Sequence, residues 1–179
     1  VKYGEIEPII NEHLFIQYRL LSQNIEYHLG ANHLLENGLS LLFAAFYFKN
    51  AYFFELSKKI IYPEIERQIL SDGGHFEQCP MYHTILVEHF LDAINLLSNN
   101  EFFEDQSTLY RALTNKCRKM MGWIKVMAYN NQIMPNFNDS TSNIAPSLME
   151  LFNYSRRLQI FYTEVKLVDS GFRSFSNSN

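Results

Sequence analysis

The sequence predicts an all-α protein built of helical hairpins, with a short β tail, and three observations carry that prediction. Apolar residues recur at helical spacing in stretches of roughly 15–20 residues. Glycine and proline cluster between those stretches. From Phe161 onward the pattern changes, with Tyr162, Val165, Leu167 and Val168 followed by Gly171, Phe172 and Phe175 among serines.

The first periodic stretch runs from Pro8 to His28, with Ile9, Ile10, His13, Leu14, Ile16, Gln17, Leu20 and Leu21 around one face, and Pro8 suits its first turn. Gly30 and Ala31 punctuate it. Asn32 to Phe48 is apolar nearly all round, which reads as a helix buried on several sides. Ala51 to Leu70 carries Phe54, Ile60, Ile61, Ile65 and Ile69, with Pro63 early in it or at a break. Ser71 to Pro80 holds two adjacent glycines and a proline beside Asp72, His75 and Glu77, a loop rich in reactive side chains. Helices resume over Met81–Leu97 and Ser107–Ala128. Asn130 to Asn143 is irregular, and Pro146 to Leu158 reads as a last helix with Pro146 in its first turn. The tail reads as one or two strands with no partner inside the chain. A ring or a bundle of such hairpins fits equally, because periodicity alone does not choose between them.

Composition bounds the function. The 179 residues suffice for a sizeable core, and 47% apolar against 19% charged residues excludes disorder and a charged coiled coil. Fifteen Lys and Arg against 19 Asp and Glu give a net charge of −4, which argues against nucleic acid as a partner. The 11 Tyr and 15 Phe suit a thick core and equally suit surfaces that stack on sugar rings. Cys79 and Cys117 are too few for a disulfide framework or a four-ligand zinc site, leaving one bridge as the most they could form. No run reaches the ~18 apolar residues of a membrane span. The chain begins at Val1, without Met or a signal peptide, and so reads as a piece of a longer protein.

Two segments concentrate chemistry. Asn32 and His33 open the most buried helix: either Asn32 is an N-cap and His33 a satisfied core histidine, or the pair holds a carboxylate at a helix start. In the second segment, Asp72 either stabilises a turn or acts with Glu77 as a hydrolytic carboxylate pair, and His75, Glu77, Tyr82 and His83 surround it. His75 and Glu77 lack a third ligand at a recognised metal spacing, so no metal and no cofactor are expected. Asn138-Asp139-Ser140 and Asn153-Tyr154-Ser155 match the glycosylation sequon, a weak signal.

Together these stretches resemble a known family. Asn32-His33-Leu34-Leu35-Glu36-Asn37-Gly38, Gln68 to Glu77 and Pro80-Met81-Tyr82-His83 are similar to the N-H-L-L-E-N-A, Q-I-L-x-D-G-x-H-F-E and S-P-M-Y-H stretches of the heparinase II/III-like polysaccharide lyases. Gly122-Trp123-Ile124, Phe137 to Ser140 and Ile144 to Ser147 extend the resemblance, which spans Glu26 to Leu158 with the motifs in family order. Cys79 stands where Ser is usual, and Gly38 where Ala is more common.

The resemblance implies an incomplete (α/α) toroid of helical hairpins over residues 1–160. Residues 161–179 would be a linker and the first strand of a missing C-terminal β-sandwich domain, which Lys166 to Phe172 resembles. It also implies β-elimination at the uronic acids of a glycan of the heparin or heparan sulfate type. Asn32 and His33 would neutralise the uronate carboxylate, and Tyr82 would serve as base, acid or both. His75, Glu77 and His83 would bind substrate. An alginate-type lyase and a non-catalytic module binding acidic glycans are the alternatives. The partners expected are an acidic polysaccharide, the missing domain, and a second copy through the uncovered apolar faces of a partial ring. The family usually works in the bacterial periplasm or outside the cell. Arg111, Lys116, Arg118, Lys119 and Lys125 offer a basic patch on one helix, either a solvated face or a polyanion contact.

Overall fold

The computed structural model describes residues 3–175, with side chains from Ile6 onward. Val1 and the last four residues of the expected tail lie outside the described residues. The helices are α1 (Tyr3–Gln23), α2 (Ala31–Phe48), α3 (Ala51–Gln68), α4 (Pro80–Ser98), α5 (Gln106–Met127) and α6 (Leu148–Arg157). This is an all-α chain of the kind expected for part of a helical toroid. It divides into two compact units: Val1–Glu64 with Asn100–Glu104, and Ile65–Asn99 with Asp105–Asn179.

The first unit is built on α2, whose Leu35, Leu41, Leu42 and Ala45 are fully buried. Gly38 lies where α3 presses closest, since a methyl group there would stand 2.9 Å from Ile60 Cγ2. Phe103, from the short returning segment, stacks on Phe54 with ring centroids 4.2 Å apart and meets Phe46 edge-on at 5.2 Å. Phe15 of α1 meets Phe48 edge-on, while Ile9, Ile10 and Leu20 of α1 are exposed.

In the second unit α4 and α5 form an antiparallel hairpin, with His83 against Met120 and Trp123 at one end and Gln106 bonded to the Leu97 carbonyl at the other. Val87, Phe90, Leu91, Leu113, Met120 and Ile124 fill it. The α6 helix lies along α4, tied by the Tyr154 hydroxyl donating to Asp92 at 2.7 Å.

Helix boundaries depart from expectation at prolines and caps. Helix α1 begins at Tyr3 and carries Pro8 inside it. Pro63 neither starts nor breaks α3. The Lys59 carbonyl that loses its partner belongs to an exposed residue, as does Pro63 itself, so water can replace the missing bond. Helix α6 starts at Leu148, because Ser147 accepts from the Glu150 N–H while the Glu150 carboxylate accepts from the Ser147 N–H, leaving Pro146 before the helix.

The tail differs most. Residues 161–175 form no strand among the described residues, and they do have partners in the chain. The Thr163 N–H donates to the Arg118 carbonyl at 3.0 Å, and Phe172 packs on Trp123 and Phe137. Gly122 permits the crossing, since any side chain there would collide with the Thr163 carbonyl oxygen. Strand pairing is replaced by side-chain acceptors, chiefly Asp72, described next.

Candidate functional site

The site is assembled where the loop after α3 meets the start of α4. That loop is a tight reversal: Leu70 N–H donates to Gly74 O at 2.9 Å, Phe76 N–H to Gln68 O at 2.9 Å, and Gly73 N–H to Leu70 O at 3.0 Å. Asp72 sits buried in it. One carboxylate oxygen accepts from the N–H groups of Val168, Asp169 and Ser170 and from the Ser170 hydroxyl, at 2.7–3.1 Å; the other accepts from Gly74 N–H at 3.1 Å. Burial alone would raise its pKa, but the Ser170, Gly74 and Val168 bonds outweigh it and hold the carboxyl below its ordinary value. The Trp123 indole donates to the same Ser170 hydroxyl, and Asp169 accepts from the Ser71 N–H. Asp72 is therefore a structural anion, and of the two sequence readings the turn-stabilising one matches its geometry.

The two histidines of this region lie inside. His75 is 1% exposed and its Nε2 meets Gln68 Oε1 at 3.0 Å. Burial, reinforced by the Arg67 charge, lowers its pKa to about 4. His83 is wholly buried, 4.4 Å from the Trp123 ring, and donates from Nε2 to the Met120 carbonyl at 3.1 Å. Burial lowers it to about 3. Both rings are neutral at physiological pH, and in each Nδ1 is buried without a hydrogen-bond partner.

Tyr82 faces the other way, half-buried in the first turn of α4. Pro80 occupies the first helical position, and Cys79 at the N-cap supplies no side-chain bond. The cap comes from the Phe137–Ser140 loop. Ser140 Oγ accepts from Met81 N–H at 3.1 Å and meets Cys79 Sγ at 3.2 Å, while Asn138 Nδ2 donates to the Gln78 carbonyl at 2.7 Å. Two motifs nearly sixty residues apart are thereby locked together around Tyr82. Partial burial first, then the negative fields of Asp139, Cys79 and Glu77, raise the phenol above its ordinary value. Glu77 is half-buried beside it.

Asn32 and His33 belong to the first unit. Gly30, with φ of 63°, takes the N-cap of α2, so Asn32 is not the cap. His33 is exposed rather than a core histidine. The residue that sequence reasoning missed is Asn37, which is buried one turn along. Its Oδ1 accepts from Glu26 N–H at 3.0 Å, and its Nδ2 donates to the His33 carbonyl at 2.9 Å and to Glu26 Oε2 at 3.1 Å. Its signal was present as a polar residue on the buried face of an apolar helix.

The basic patch of α5 separates into different roles. Lys116 pairs with Glu66 at 2.9 Å, and Arg118 Nε is buried. Lys125 is exposed and lines a groove with Arg156. Cys79 and Cys117 are both free and buried, and burial pushes the Cys117 thiol up to about 12. No helix among the described residues is long and apolar enough to cross a membrane.

The chain is 29% identical over 122 residues to a heparin-sulfate lyase of Bacteroides thetaiotaomicron, covering 64% of this chain and 17% of that relative. No solved structure matches. The sequence profile of the family described as "Heparinase II/III N-terminus" matches residues 13–167 and takes in both motif-bearing helix starts. On that match, the chain belongs to the heparinase II/III N-terminus family.

Proposed function

We propose that the protein containing this chain is a polysaccharide lyase that cleaves uronic-acid glycans of the heparin or heparan sulfate type by β-elimination. The observation that carries the reading is Tyr82, a half-open phenol on a helix start fixed by Ser140 and Asn138. The C5 proton of a uronate lies α to a carboxylate, so its loss places charge on the carboxyl group. The C5–H pair then forms the C4–C5 double bond, the C4–O4 bond breaks, and O4 takes up a proton.

Asn32 and His33 are assigned to the uronate carboxylate, where donors aimed at developing charge are worth ~10²–10³ in rate each. Tyr82 is assigned to proton transfer. Its raised pKa makes it a phenol at neutral pH, which suits delivery of the proton to O4. To act as the base at C5 it would need a cation beside it to favour the phenolate. Glu77 is assigned to substrate hydroxyls. His75 and His83, buried and neutral, are assigned to holding the loop and helix behind Tyr82. Hydrolysis by an Asp72 and Glu77 pair is disfavoured, because Asp72 already accepts bonds from Gly74 and the tail. A protein acting on such polymers would work in the periplasm or outside the cell.

The test is an assay of the full-length protein on heparan sulfate, heparin, alginate and chondroitin. Products are followed by ultraviolet absorbance and by new reducing ends. Reducing ends that appear together with absorbance are expected with a heparan-type polymer. Reducing ends without absorbance would replace the lyase with a hydrolase, and binding without either would make it a glycan-binding module.

A further inference from the structure

The second unit carries a groove of about 720 Å³ between the end of α5 and α6, with Lys125 and Arg156 at it and Tyr129, Phe152 and Tyr162 as aromatic walls. No acidic residue is among those lining it, although the chain as a whole is net negative. Tyr129 and Tyr162 are 58% and 44% exposed, and Phe152 meets Tyr162 edge-on at 6.5 Å. Arg156 is oriented by Nη1 donating to Asn153 Oδ1 at 3.2 Å, which leaves the rest of its guanidinium fork for a ligand. Tyr162 is held by the neighbouring Thr163–Arg118 backbone bond.

The groove adjoins a second cavity of about 310 Å³, with which it shares Gln132 and Leu148 and whose wall includes Met81 and Thr84 at the start of α4. Amides and hydroxyls of Asn136, Asn143, Thr141 and Ser142 line that second cavity. The two adjoining cavities thus set hydrogen-bonding groups beside a cationic and aromatic groove.

We infer that this groove is a saccharide subsite for an acidic sugar ring of the glycan, distal to the residue assigned to cleavage. The aromatic walls face the C–H surfaces of the pyranose, Lys125 and Arg156 bind its oxyanion, and the amides take hydroxyls. The inference rests on the reading of the protein as acting on acidic glycans. The oxyanion is one chemistry with two sources, a uronate carboxylate or a sulfate ester, and the experiment separates them.

Binding of long oligosaccharides to the full-length protein is measured by calorimetry at two salt concentrations, for Lys125→Ala/Arg156→Ala and for Tyr129→Ala. The probes are sulfated heparan, its unsulfated counterpart, and a neutral oligosaccharide of equal length. Each variant is expected to lose roughly tenfold or more in affinity for charged probes. The double variant should also show a shallower salt dependence and leave the neutral probe unaffected, whereas Tyr129→Ala should weaken the neutral probe as well, because stacking on pyranose C–H faces needs no charge. For the double variant, loss on the sulfated probe alone assigns the groove to sulfate, and loss on both charged probes assigns it to the carboxylate. Unchanged affinity for both charged probes, in a variant with unchanged melting temperature, overturns the subsite. Turnover of a short substrate that cannot reach the groove is read in parallel. If it is absent in the wild type while the groove variants still lose binding, the lyase reading fails and the subsite stands.

Discussion

Asp72 gathers Gly74, Val168, Asp169 and Ser170 onto one buried carboxylate, and that explains both its presence in the loop and the course of the tail. Hydrogen bonds to a charged group are worth ~1.5–3 kcal/mol each. Asp72→Asn should therefore destabilise the fold by at least about 2 kcal/mol and make residues 161–175 more susceptible to limited proteolysis. Unchanged melting and unchanged digestion would show that the tail is held elsewhere. Asn37 plays the equivalent part in the first unit: Asn37→Ala leaves the Glu26 N–H without its side-chain acceptor and should cost ~1–3 kcal/mol, read by chemical denaturation. At this scale the sequence was only partly legible. Periodicity located Asn32, His33, His75 and His83 on or beside helices. It did not say that Gly30 would cap α2, that His33 would face water, or that His75 and His83 would both point inward. Those outcomes depend on contacts such as His83 with Met120, 37 residues apart, which no local pattern encodes.

Among the elements, α4 is the one whose start matters most, and it is capped from outside. A proline at the first turn removes one orphan N–H, and Ser140 satisfies that of Met81. Ser140→Ala is expected to cost about 1 kcal/mol, as loss of a cap usually does. If the loop positions Tyr82, turnover should fall by more than that stability loss implies, with substrate binding little changed. A fall in stability alone would make the loop merely structural. The helices themselves were readable because their apolar spacing is dense, and because loops carry Gly, Pro and Asn. The later start of α6 and the continuous α3 share a cause: proline marks a boundary only when the freed carbonyl is buried or a better cap is absent. At Lys59 and Pro63 the residues are exposed, and at Ser147 the capping box takes over. The tail was read as strand from its change of pattern after Phe161, but Trp123, Phe137 and Asp72 offered it partners first.

For the whole molecule, pH acts through the buried groups. His75 and His83 have folded pKa values of about 4 and about 3 against an ordinary 6.5, so the unfolded chain binds more protons between those values. Stability is then fully present above 6.5 and declines as pH falls through the window to about 3. Asp72, also lowered, adds its own loss below the ordinary carboxylate value. Melting temperatures should fall steadily from pH 7 to pH 5, and His75→Gln/His83→Gln should flatten that slope. A wild-type profile already flat over this range would contradict the buried neutral assignment.

The central claim is that Tyr82 transfers the proton in an elimination at uronic acids. It is tested most directly by Tyr82→Phe in the full-length protein, through the initial rate of unsaturated-uronate absorbance on the best polymer. A positioned proton donor is worth ~10²–10⁴ in rate, so the rate should fall by at least ~10²-fold, with the melting temperature and glycan affinity retained. A rate within a few-fold of wild type would contradict the assignment and move the chemistry to another residue.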